Sequence, residues 1–292
     1  MSDMIAVEQW PARLQETIKQ RCAMLRRVTV LFETDSTQRS AQRLEAQPGE
    51  VIVAWRQTSG HGRLGRRWAD TEHDGIAVTI VIHPDNCERL AIASAVGTAR
   101  GVEAVLRRPV GIKWPNDIMV QQRKLAGILI EQSDSTALIG IGINVSQRQW
   151  PDDLSHRAIS LAQLESMVDR LVLLEALLPA IDCALQMDDA QLAEEFAKRD
   201  ALRGATASFR IGAQTFTGRV LGVDPMKGVT IQAEGEQIWL PAATTTLVSA
   251  EKMAAPGLDT NRINDSKNAV RTASAARETS GPSQSTIHDS KG

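Results

Sequence analysis

Hydrophobic residues recur along the chain with two periods, one typical of strands and one typical of helices. Short apolar runs bounded by polar turns predict strands; these runs lie at 28–32, 51–54, 76–82, 110–114, 118–120, 124–131 and 137–145. Apolar residues three or four positions apart predict helices; these segments lie at 11–25, 36–46, 90–106, 159–164, 168–187 and 190–199. Because the later strands are apolar at nearly every position, both faces of their sheet should be covered.

The pattern changes after residue 203. Short strands are predicted at 206–210, 214–224, 229–234, 237–240 and 244–248, separated by glycine-containing turns. Closely spaced strands of this kind favour a small β-barrel of the SH3 type. The segment 255–292 has almost no large aliphatic residues and is predicted to be disordered, because it cannot bury enough surface to offset its ordering entropy. We therefore expect a main domain over 1–202, a barrel over 203–250 and a tail over 251–292.

Composition and charge narrow the class of protein. An apolar content of 42% and a net charge of −2 are typical of a soluble globular protein with no general attraction to nucleic acid. Cys22, Cys87 and Cys183 lie far apart, which favours free thiols in a reducing compartment. The five histidines form no metal-spaced cluster, and neither a signal peptide nor a membrane span is expected. The sequence predicts a cytoplasmic protein.

The segment 55–68, W-R-Q-T-S-G-H-G-R-L-G-R-R-W, connects two predicted strands and carries three glycines and four arginines. Glycine lets a backbone approach a ligand closely, and arginine binds phosphate or carboxylate through a planar fork. We interpret the segment as a cationic flap for an anionic ligand. Its spacing G-x-G-x-x-G also matches a dinucleotide-binding motif, but turn residues at 70–75 follow it where that motif needs a helix. A solvated basic loop remains an alternative from this segment alone.

Polar residues interrupt the otherwise apolar sheet at a few positions. Asp117, Lys124 and Asn144 lie on neighbouring strands, and Ser36 and Thr37 lie where a strand gives way to a helix. Each has an ordinary alternative as a turn residue, a strand-end charge or a helix cap. Their combination near the flap favours a binding site. Glycines within the same strands, at 127, 140 and 142, predict close approach of a ligand or another backbone.

Five segments together resemble the biotin–protein ligases in order and spacing. They are D-S-T at 35–37, the flap at 57–68, K-W-P-N-D at 113–117, R-K-L-A-G-I-L at 123–129 and G-I-G-I-N-V at 140–145. The similarity extends over about 28–250. It implies an α+β fold in which a mixed β-sheet flanked by helices forms the catalytic biotin- and ATP-binding domain, followed by a small SH3-like barrel.

The resemblance also implies an activity. Members of that family condense biotin with ATP to biotinoyl-5′-AMP and pyrophosphate. They then transfer the biotinoyl group to one lysine of a biotin carboxyl carrier protein, part of acetyl-CoA carboxylase or a related carboxylase. Mg²⁺ is expected on the phosphates, and closure of the flap is expected to protect the labile intermediate from water.

Roles for individual residues follow from the same resemblance. Lys124 and Arg63 are the expected catalytic residues, and Asp117 is the expected Mg²⁺ ligand. The residues expected to bind biotin are Ser36, Thr37, Gln57, Gly60, His61, Gly62, Arg63, Lys124 and Gly127. The residues expected to bind ATP are Arg63, Arg66, Arg67, Trp68, Asn116, Asp117, Lys124 and Asn144.

The sequence departs from the family pattern in two places. His61 stands where many relatives carry a basic residue, and imidazole is mostly uncharged at neutral pH. The 27 residues before the first strand are too few for the DNA-binding domain of the longer members, so no DNA binding is expected. A monomer or a homodimer is expected. The alternatives are a lipoate or octanoate ligase, which needs a less polar pocket, and a biotin sensor without catalysis.

Overall fold

A seven-stranded mixed sheet is the framework of the first two hundred residues. The computed structural model describes residues 5–62, 67–68, 74–133, 135–164, 166, 168–251, 253 and 271–272. In these residues the helices are α1 (Trp10–Arg21), α2 (Thr37–Arg43), α3 (Cys87–Leu106), α4 (Arg170–Leu185) and α5 (Asp189–Ala197). The strands are β1 (Arg27–Thr34), β2 (Glu50–Gln57), β3 (Gly60–His61), β4 (Arg67–Trp68), β5 (Gly75–Ile82), β6 (Gly111–Lys113), β7 (Asp117–Val120), β8 (Arg123–Gln132), β9 (Ala137–Asn144), β10 (Thr206–Ile211), β11 (Gln214–Asp224), β12 (Gly228–Ala233), β13 (Glu236–Pro241), β14 (Thr245–Glu251) and β15 (Arg271–Thr272).

The main sheet has the strand order β1-β2-β5-β9-β8-β7-β6. β1 and β2 are parallel, and the other neighbours are antiparallel, so the expected mixed sheet is confirmed. Helices α1, α3 and α4 cover one face, and α2 packs on the other against β2, β5 and β9. All eight residues of β5 are buried, as the unbroken apolar run predicts.

Helices α3 and α4 approach each other closely at two glycines of α3. A Cβ on Gly97 would lie 2.5 Å from the Cα of Ile181, and a Cβ on Gly101 would lie 2.8 Å from the Cα of Leu177. The two backbones are therefore nearer than larger side chains would allow. Helix α4 continues through Pro179 as one element.

A buried carboxylate joins α4 to the segment between α1 and β1. The Asp182 side chain accepts hydrogen bonds from the main-chain N–H groups of Ala23, Met24 and Leu25, at 2.8, 2.9 and 2.9 Å. Asp182 is 2% exposed, so these bonds are shielded from water. These three hydrogen bonds hold the main chain of residues 23–25 in place just before β1 begins.

One detail of the predicted secondary structure was wrong. The helix predicted over 159–164 is only a 3₁₀ turn at Ala162–Leu164. The segment before it is extended because its main chain pairs with Lys124, which donates to Arg157 O and accepts from Ile159 N. Within the segment predicted as a flap, β3 and β4 pair with each other.

The C-terminal strands form a six-stranded sheet in the order β14-β10-β11-β12-β13-β15. The Trp114 indole joins it to the first sheet by donating to Pro225 O, in the turn between β11 and β12, at 2.9 Å. Ahead of β10, residues 199 and 201 exchange main-chain hydrogen bonds with Ile112 of β6. Closure of these strands into an SH3-like barrel, and the domain boundaries at 202 and 250, stay predictions. Of the predicted disordered segment 255–292, only Arg271 and Thr272 are described, and they pair with β13. Among the described helices, none is long and apolar enough to cross a bilayer.

We predict that Gly97→Ala destabilises the fold by about 1–3 kcal/mol, because the new methyl group overlaps the backbone of α4. Helix propensity alone predicts the opposite sign, a gain of about 1 kcal/mol. The measurement is urea-induced unfolding. Gly222→Ala is the control, since a Cβ there meets nothing within 4 Å, and its effect should stay within about 0.5 kcal/mol. A Gly97→Ala protein as stable as the parent would contradict the close packing of α3 on α4.

A second prediction concerns Asp200, which lies between the two sheets and accepts a hydrogen bond from the Leu202 N–H. Burial raises the pKa of Asp200 to about 6. The folded protein therefore binds more protons than the unfolded chain between about pH 4 and pH 6. This group's contribution to the free energy of unfolding is fully present below about pH 4 and is lost as the pH rises through 6.

Asp200→Asn should remove the loss of stability that Asp200 causes as the pH rises. The difference in the free energy of unfolding between the variant and the parent should therefore change between about pH 4 and pH 7. Urea unfolding at several pH values measures it. The pH slope is compared rather than the absolute stability, because an amide also changes the local hydrogen bonds. Parallel pH profiles for the two proteins would contradict the raised pKa.

Candidate active site

A row of small residues crosses five neighbouring strands on the face that α2 covers. Residues directly opposite in adjacent strands point to the same face, and the register pairs Ala54 with Ala77, Ala77 with Gly142, Gly142 with Gly127, and Gly127 with Asp117. We call this row the trough. It spans four strand spacings, about 19 Å. Four small residues leave space above the sheet, and the fifth places a carboxylate at one end.

The indole of Trp68 lies over the middle of the trough. A Cβ on Gly142 would lie 2.5 Å from this ring, and a Cβ on Gly127 would lie 3.2 Å from it. Trp68 belongs to β4, which pairs with β3. The C-terminal end of the flap therefore lies against the sheet, and the glycines are needed for that approach.

Lys124 and Asp117 meet at one end of the trough. The Lys124 ammonium lies 2.6 Å from Asp117 Oδ1 and 5.5 Å from the centre of the Trp68 ring. The two side chains are 35% and 25% exposed, so water and a ligand can both reach the ion pair. A Cβ on Gly127 would lie 2.8 Å from the Lys124 Nζ, so glycine at 127 leaves room for this side chain.

The main chain around Lys124 is fixed from several directions. A two-residue turn precedes β8, in which Gln121 and Gln122 both have positive φ, as a tight hairpin requires. Lys124 itself pairs with the extended segment 157–159. The Asn144 amide donates to Lys124 O at 3.2 Å and to Ile159 O at 3.0 Å. This network sets the point from which the lysine side chain extends.

At the other end of the trough lies a buried polar cluster. The Gln57 side-chain oxygen accepts hydrogen bonds from the Thr37 N–H at 2.9 Å and from the Thr37 hydroxyl at 3.3 Å. The Thr79 hydroxyl donates to the Thr37 hydroxyl at 2.8 Å. Ser36 is 6% exposed and occupies the N-cap position of α2, but its hydroxyl makes no capping bond. A simple capping role therefore does not explain this serine.

The helix start beside this cluster is held by charge. Arg43 donates to Asp35 at 2.7 Å, and its guanidinium holds the pKa of Asp35 well below the usual range. Asp35 also accepts from the Ser36 N–H at 2.8 Å. The D-S-T segment is thereby locked at the turn between β1 and α2.

The structure brings most of the described predicted site residues to the trough. Gly60 lies beside Gln57, since a Cβ on Gly60 would lie 2.4 Å from the Gln57 amide nitrogen, whereas the next residue, His61, is exposed. Asn116 and Asn144 donate their amide groups to main-chain carbonyls, so their predicted contacts with ATP stay predictions. Arg63 and Arg66 lie outside the described residues, and Arg67 is described by its backbone alone.

Sequence reasoning missed several residues that shape the trough. Ala54, Ala77 and Thr79 belong to apolar runs, and only the strand register reveals that they face the site. Gln38 was also missed, although it follows D-S-T directly; its amide fills the space that a Cβ on Gly140 would need. The position of Gln38 on the first turn of α2 was the available signal.

Comparison with known proteins shows similarity to one family of ligases. Residues 31–155 match the profile of the Biotin/lipoate A/B protein ligase family. The chain is 36% identical over 158 residues to the Bifunctional ligase/repressor BirA of Bacillus spizizenii, covering 49% of each chain. It is 27% identical over 207 residues to the Biotin--[acetyl-CoA-carboxylase] ligase of Mycobacterium tuberculosis, covering 66% of this chain and 77% of that protein.

Among solved structures, the biotin protein ligase from Aquifex aeolicus in complex with biotin and ATP has a TM-score of 0.69 and 28% identity. The similarity covers 76% of this chain and 98% of that one. By contrast, the chain spans about half the length of the Bacillus relatives, 49% and 44%. Residues 31–155, which contain all the residues predicted for the site, are thus similar to the Biotin/lipoate A/B protein ligase family, in agreement with the resemblance that the motifs predicted.

Proposed function

We propose that the protein activates biotin with ATP to form biotinoyl-5′-AMP and pyrophosphate, and then transfers the biotinoyl group to a lysine of a biotin carboxyl carrier protein. The observation that carries the proposal is the trough, with a buried polar cluster at one end and the Lys124–Asp117 ion pair at the other. Its length of about 19 Å suits an extended acyl adenylate. The polar head of the acyl group would then contact the polar cluster, the acyl chain would lie along the small residues, and the nucleotide would lie near the ion pair.

The first step joins two anions. A biotin carboxylate oxygen attacks the α-phosphorus of ATP, and the bond from that phosphorus to the pyrophosphate oxygen breaks. A fixed positive charge beside the reacting groups lowers this barrier by offsetting repulsion and the charge that develops in the transition state. We assign this role to Lys124, and the hydrogen bonds of its main chain to residues 157 and 159 support the assignment. In the second step the carrier lysine amine attacks the acyl carbon, and AMP leaves.

The polar cluster supports biotin as the acyl substrate. The ureido ring offers one carbonyl acceptor and two N–H donors, which need polar partners once they are buried. Ser36, Thr37 and Gln57 provide hydroxyl and amide groups within a region that is less than 10% exposed. Lipoate and octanoate have no comparable polar head that could exchange hydrogen bonds with these hydroxyl and amide groups.

Asp117 is the described carboxylate at the nucleotide end of the trough. Mg²⁺ commonly binds through one or two carboxylates together with substrate phosphates and water, and a single Asp117 fits that pattern. When bound, the ion would reduce the negative charge on the phosphates.

Names of the relatives support the substrates and the partner. The Aquifex aeolicus protein was solved with biotin and ATP, and the Mycobacterium tuberculosis relative is a ligase for acetyl-CoA carboxylase. A carboxylase carrier domain is therefore the proposed protein substrate. We place the reaction in the cytoplasm, in keeping with the three free cysteines, Cys22, Cys87 and Cys183.

The direct test is incubation with biotin, ATP, Mg²⁺ and a carrier domain. The expected results are biotin-dependent exchange of pyrophosphate into ATP and covalent biotin on one carrier lysine. Lipoate and octanoate in parallel reactions separate the ligase classes, since neither should drive exchange at a comparable rate. A folded protein that binds biotin but exchanges no pyrophosphate would contradict the proposal.

We predict that Lys124→Met lowers the single-turnover rate of adenylate formation by roughly 10²–10³-fold, because it removes the positive charge at the reacting groups. The fold should change in stability by no more than about 1 kcal/mol, since the ion pair with Asp117 is partly exposed. Lys198→Met is the matched control, because Lys198 also pairs with carboxylates but lies away from the trough, at the C-cap of α5. Equal rates of adenylate formation for the two variants would show that the charge of Lys124 is not needed in the reaction.

We also predict that Gly142→Ala lowers biotin-dependent exchange at least tenfold. The new Cβ would lie 2.5 Å from the Trp68 indole and would narrow the trough at its centre. Stability should change by less than about 1.5 kcal/mol, because the neighbour that must move is a side chain on a short surface strand. The comparison with Gly222→Ala, which faces open space, controls for a glycine-to-alanine change within a strand. Full activity of Gly142→Ala would show that substrates lie elsewhere.

A further inference from the structure

The main sheet divides at one end, beside the trough. Pairing between β2 and β5 ends at Ala54 and Ala77, although β2 continues to Gln57 and β5 begins at Gly75. The outer pairings continue past this point: Thr34 still pairs with Gln57, and Gly75 still pairs with Asn144. The sheet therefore separates into a β1–β2 part and a β5–β9–β8 part.

Arg170, the first residue of α4, lies at this division. Its Nη1 donates to Trp55 O at 2.8 Å and to Gly75 O at 3.1 Å. These carbonyls belong to the two separated parts of the sheet. One guanidinium nitrogen thus connects strands that no longer pair with each other. Arg170 is 2% exposed, so the charge is shielded from water.

The surroundings of Arg170 hold its guanidinium in one position. The carbon at its centre lies 5.2 Å from the Trp10 ring and 5.4 Å from the Trp55 ring, distances typical of cation–π contacts. The preceding residue, Asp169, caps α4 by accepting from the Leu171 N–H at 2.8 Å and also accepts from the Ile5 N–H at 3.0 Å. The helix start is therefore anchored on both sides.

Each carbonyl bound by Arg170 belongs to a residue that lies close, in the chain or across the sheet, to a different end of the trough. Trp55 is two residues before Gln57, which binds Thr37 in the polar cluster. Gly75 pairs with Asn144, whose amide donates to Lys124 O. The separation of the two carbonyls consequently fixes how far the polar cluster lies from the lysine.

We propose that Arg170 is a positioning residue for adenylate formation: by bridging Trp55 and Gly75, it sets the distance between the biotin-binding cluster and Lys124. The proposal rests on the proposed function. Arg170 lies on the face of the sheet opposite the trough and touches no substrate. Arginine suits the position because two hydrogens on one planar nitrogen reach two carbonyls while the plane packs against aromatic rings.

This role makes a prediction that a purely structural role does not. If Arg170 sets a distance between two half-sites, its loss should spare the binding of each substrate alone and slow the step that joins them. A misplacement of about 1 Å between reacting groups can cost roughly 10²-fold in rate. A residue needed only for folding would instead lower the fraction of folded protein and leave the rate per folded molecule unchanged.

The experiment compares Arg170→Met, Arg170→Lys and the parent in the full chain. Isothermal titration gives the Kd of biotin and of ATP separately, and rapid quench gives the single-turnover rate of adenylate formation per folded molecule. We expect Kd values within about threefold of the parent and a rate lowered roughly 10²-fold in Arg170→Met. Arg170→Lys keeps the charge but lacks the planar fork, so its rate should lie between those of the parent and Arg170→Met.

Asp182→Asn is the matched control, since Asp182 is a buried charged residue of the same helix and contacts the segment 23–25 instead of the divided strands. It should lower stability and leave the rate per folded molecule within about twofold of the parent. If Arg170→Met does not fold, the single-turnover rate per folded molecule is compared between Arg170→Lys and Asp182→Asn, and this comparison tests the proposal. A rate in the Arg170 variants no lower than in Asp182→Asn would overturn the proposal.

Hydrogen–deuterium exchange provides a readout that does not depend on activity. Amides in peptides covering 55–58 and 75–77 should exchange at least tenfold faster in the Arg170 variants, and those covering 125–130 should not change. Unchanged exchange at both strand ends would overturn the proposal even if activity fell. A parent protein without pyrophosphate exchange would refute the proposed function, whereas the exchange rates would still report whether Arg170 holds the divided strands.

Discussion

The register of the antiparallel strands is the constraint on which the site depends. Side chains alternate between the two faces of a sheet, so a shift of one residue would replace the small residues of the trough with large aliphatic ones. Ala77, Gly142 and Gly127 share a face only because β5, β9 and β8 pair as they do. The opposite face shows what the shift would bring, since Ile76, Ile143 and Ile128 are buried there against the helices. The apolar core thus specifies the register, and the register shapes the site.

A second theme is that main-chain contacts orient the charged residue of the site. Lys124 lies in a strand bounded by a tight turn, and its carbonyl is held by Asn144 and by the extended segment at 159. Such bonds restrict the backbone while leaving the side chain able to exchange one partner for another. Because the ion pair with Asp117 is partly exposed, its loss on ligand binding would cost little. The main chain of Lys124 is therefore held in place, while its ammonium group can change its partner.

The sequence was informative about elements and chemistry, and less informative about arrangement. The apolar runs located the strands of the main sheet, and the motifs around Asp117, Lys124 and Asn144 identified residues that the fold brings to adjacent strands. Sequence periodicity could not reveal the roles of Ala54 and Ala77, because an alanine in an apolar run resembles any other core residue. Arg170 was also missed, since an arginine at a helix start usually faces solvent and its two carbonyl partners are 95 and 115 residues away in the chain.

The contact between Trp114 and the C-terminal sheet has an implication for how this chain can vary among its relatives. The indole donates to a main-chain oxygen, that of Pro225, and every amino acid supplies such an oxygen. Substitutions at residues 225–227 should therefore be tolerated as long as the turn keeps its path, whereas insertions or deletions that shift this carbonyl would break the link. Gly228, which follows the turn, is excepted, because a Cβ there would lie 2.3 Å from Leu240 O. Length rather than identity should be the property under selection in this turn.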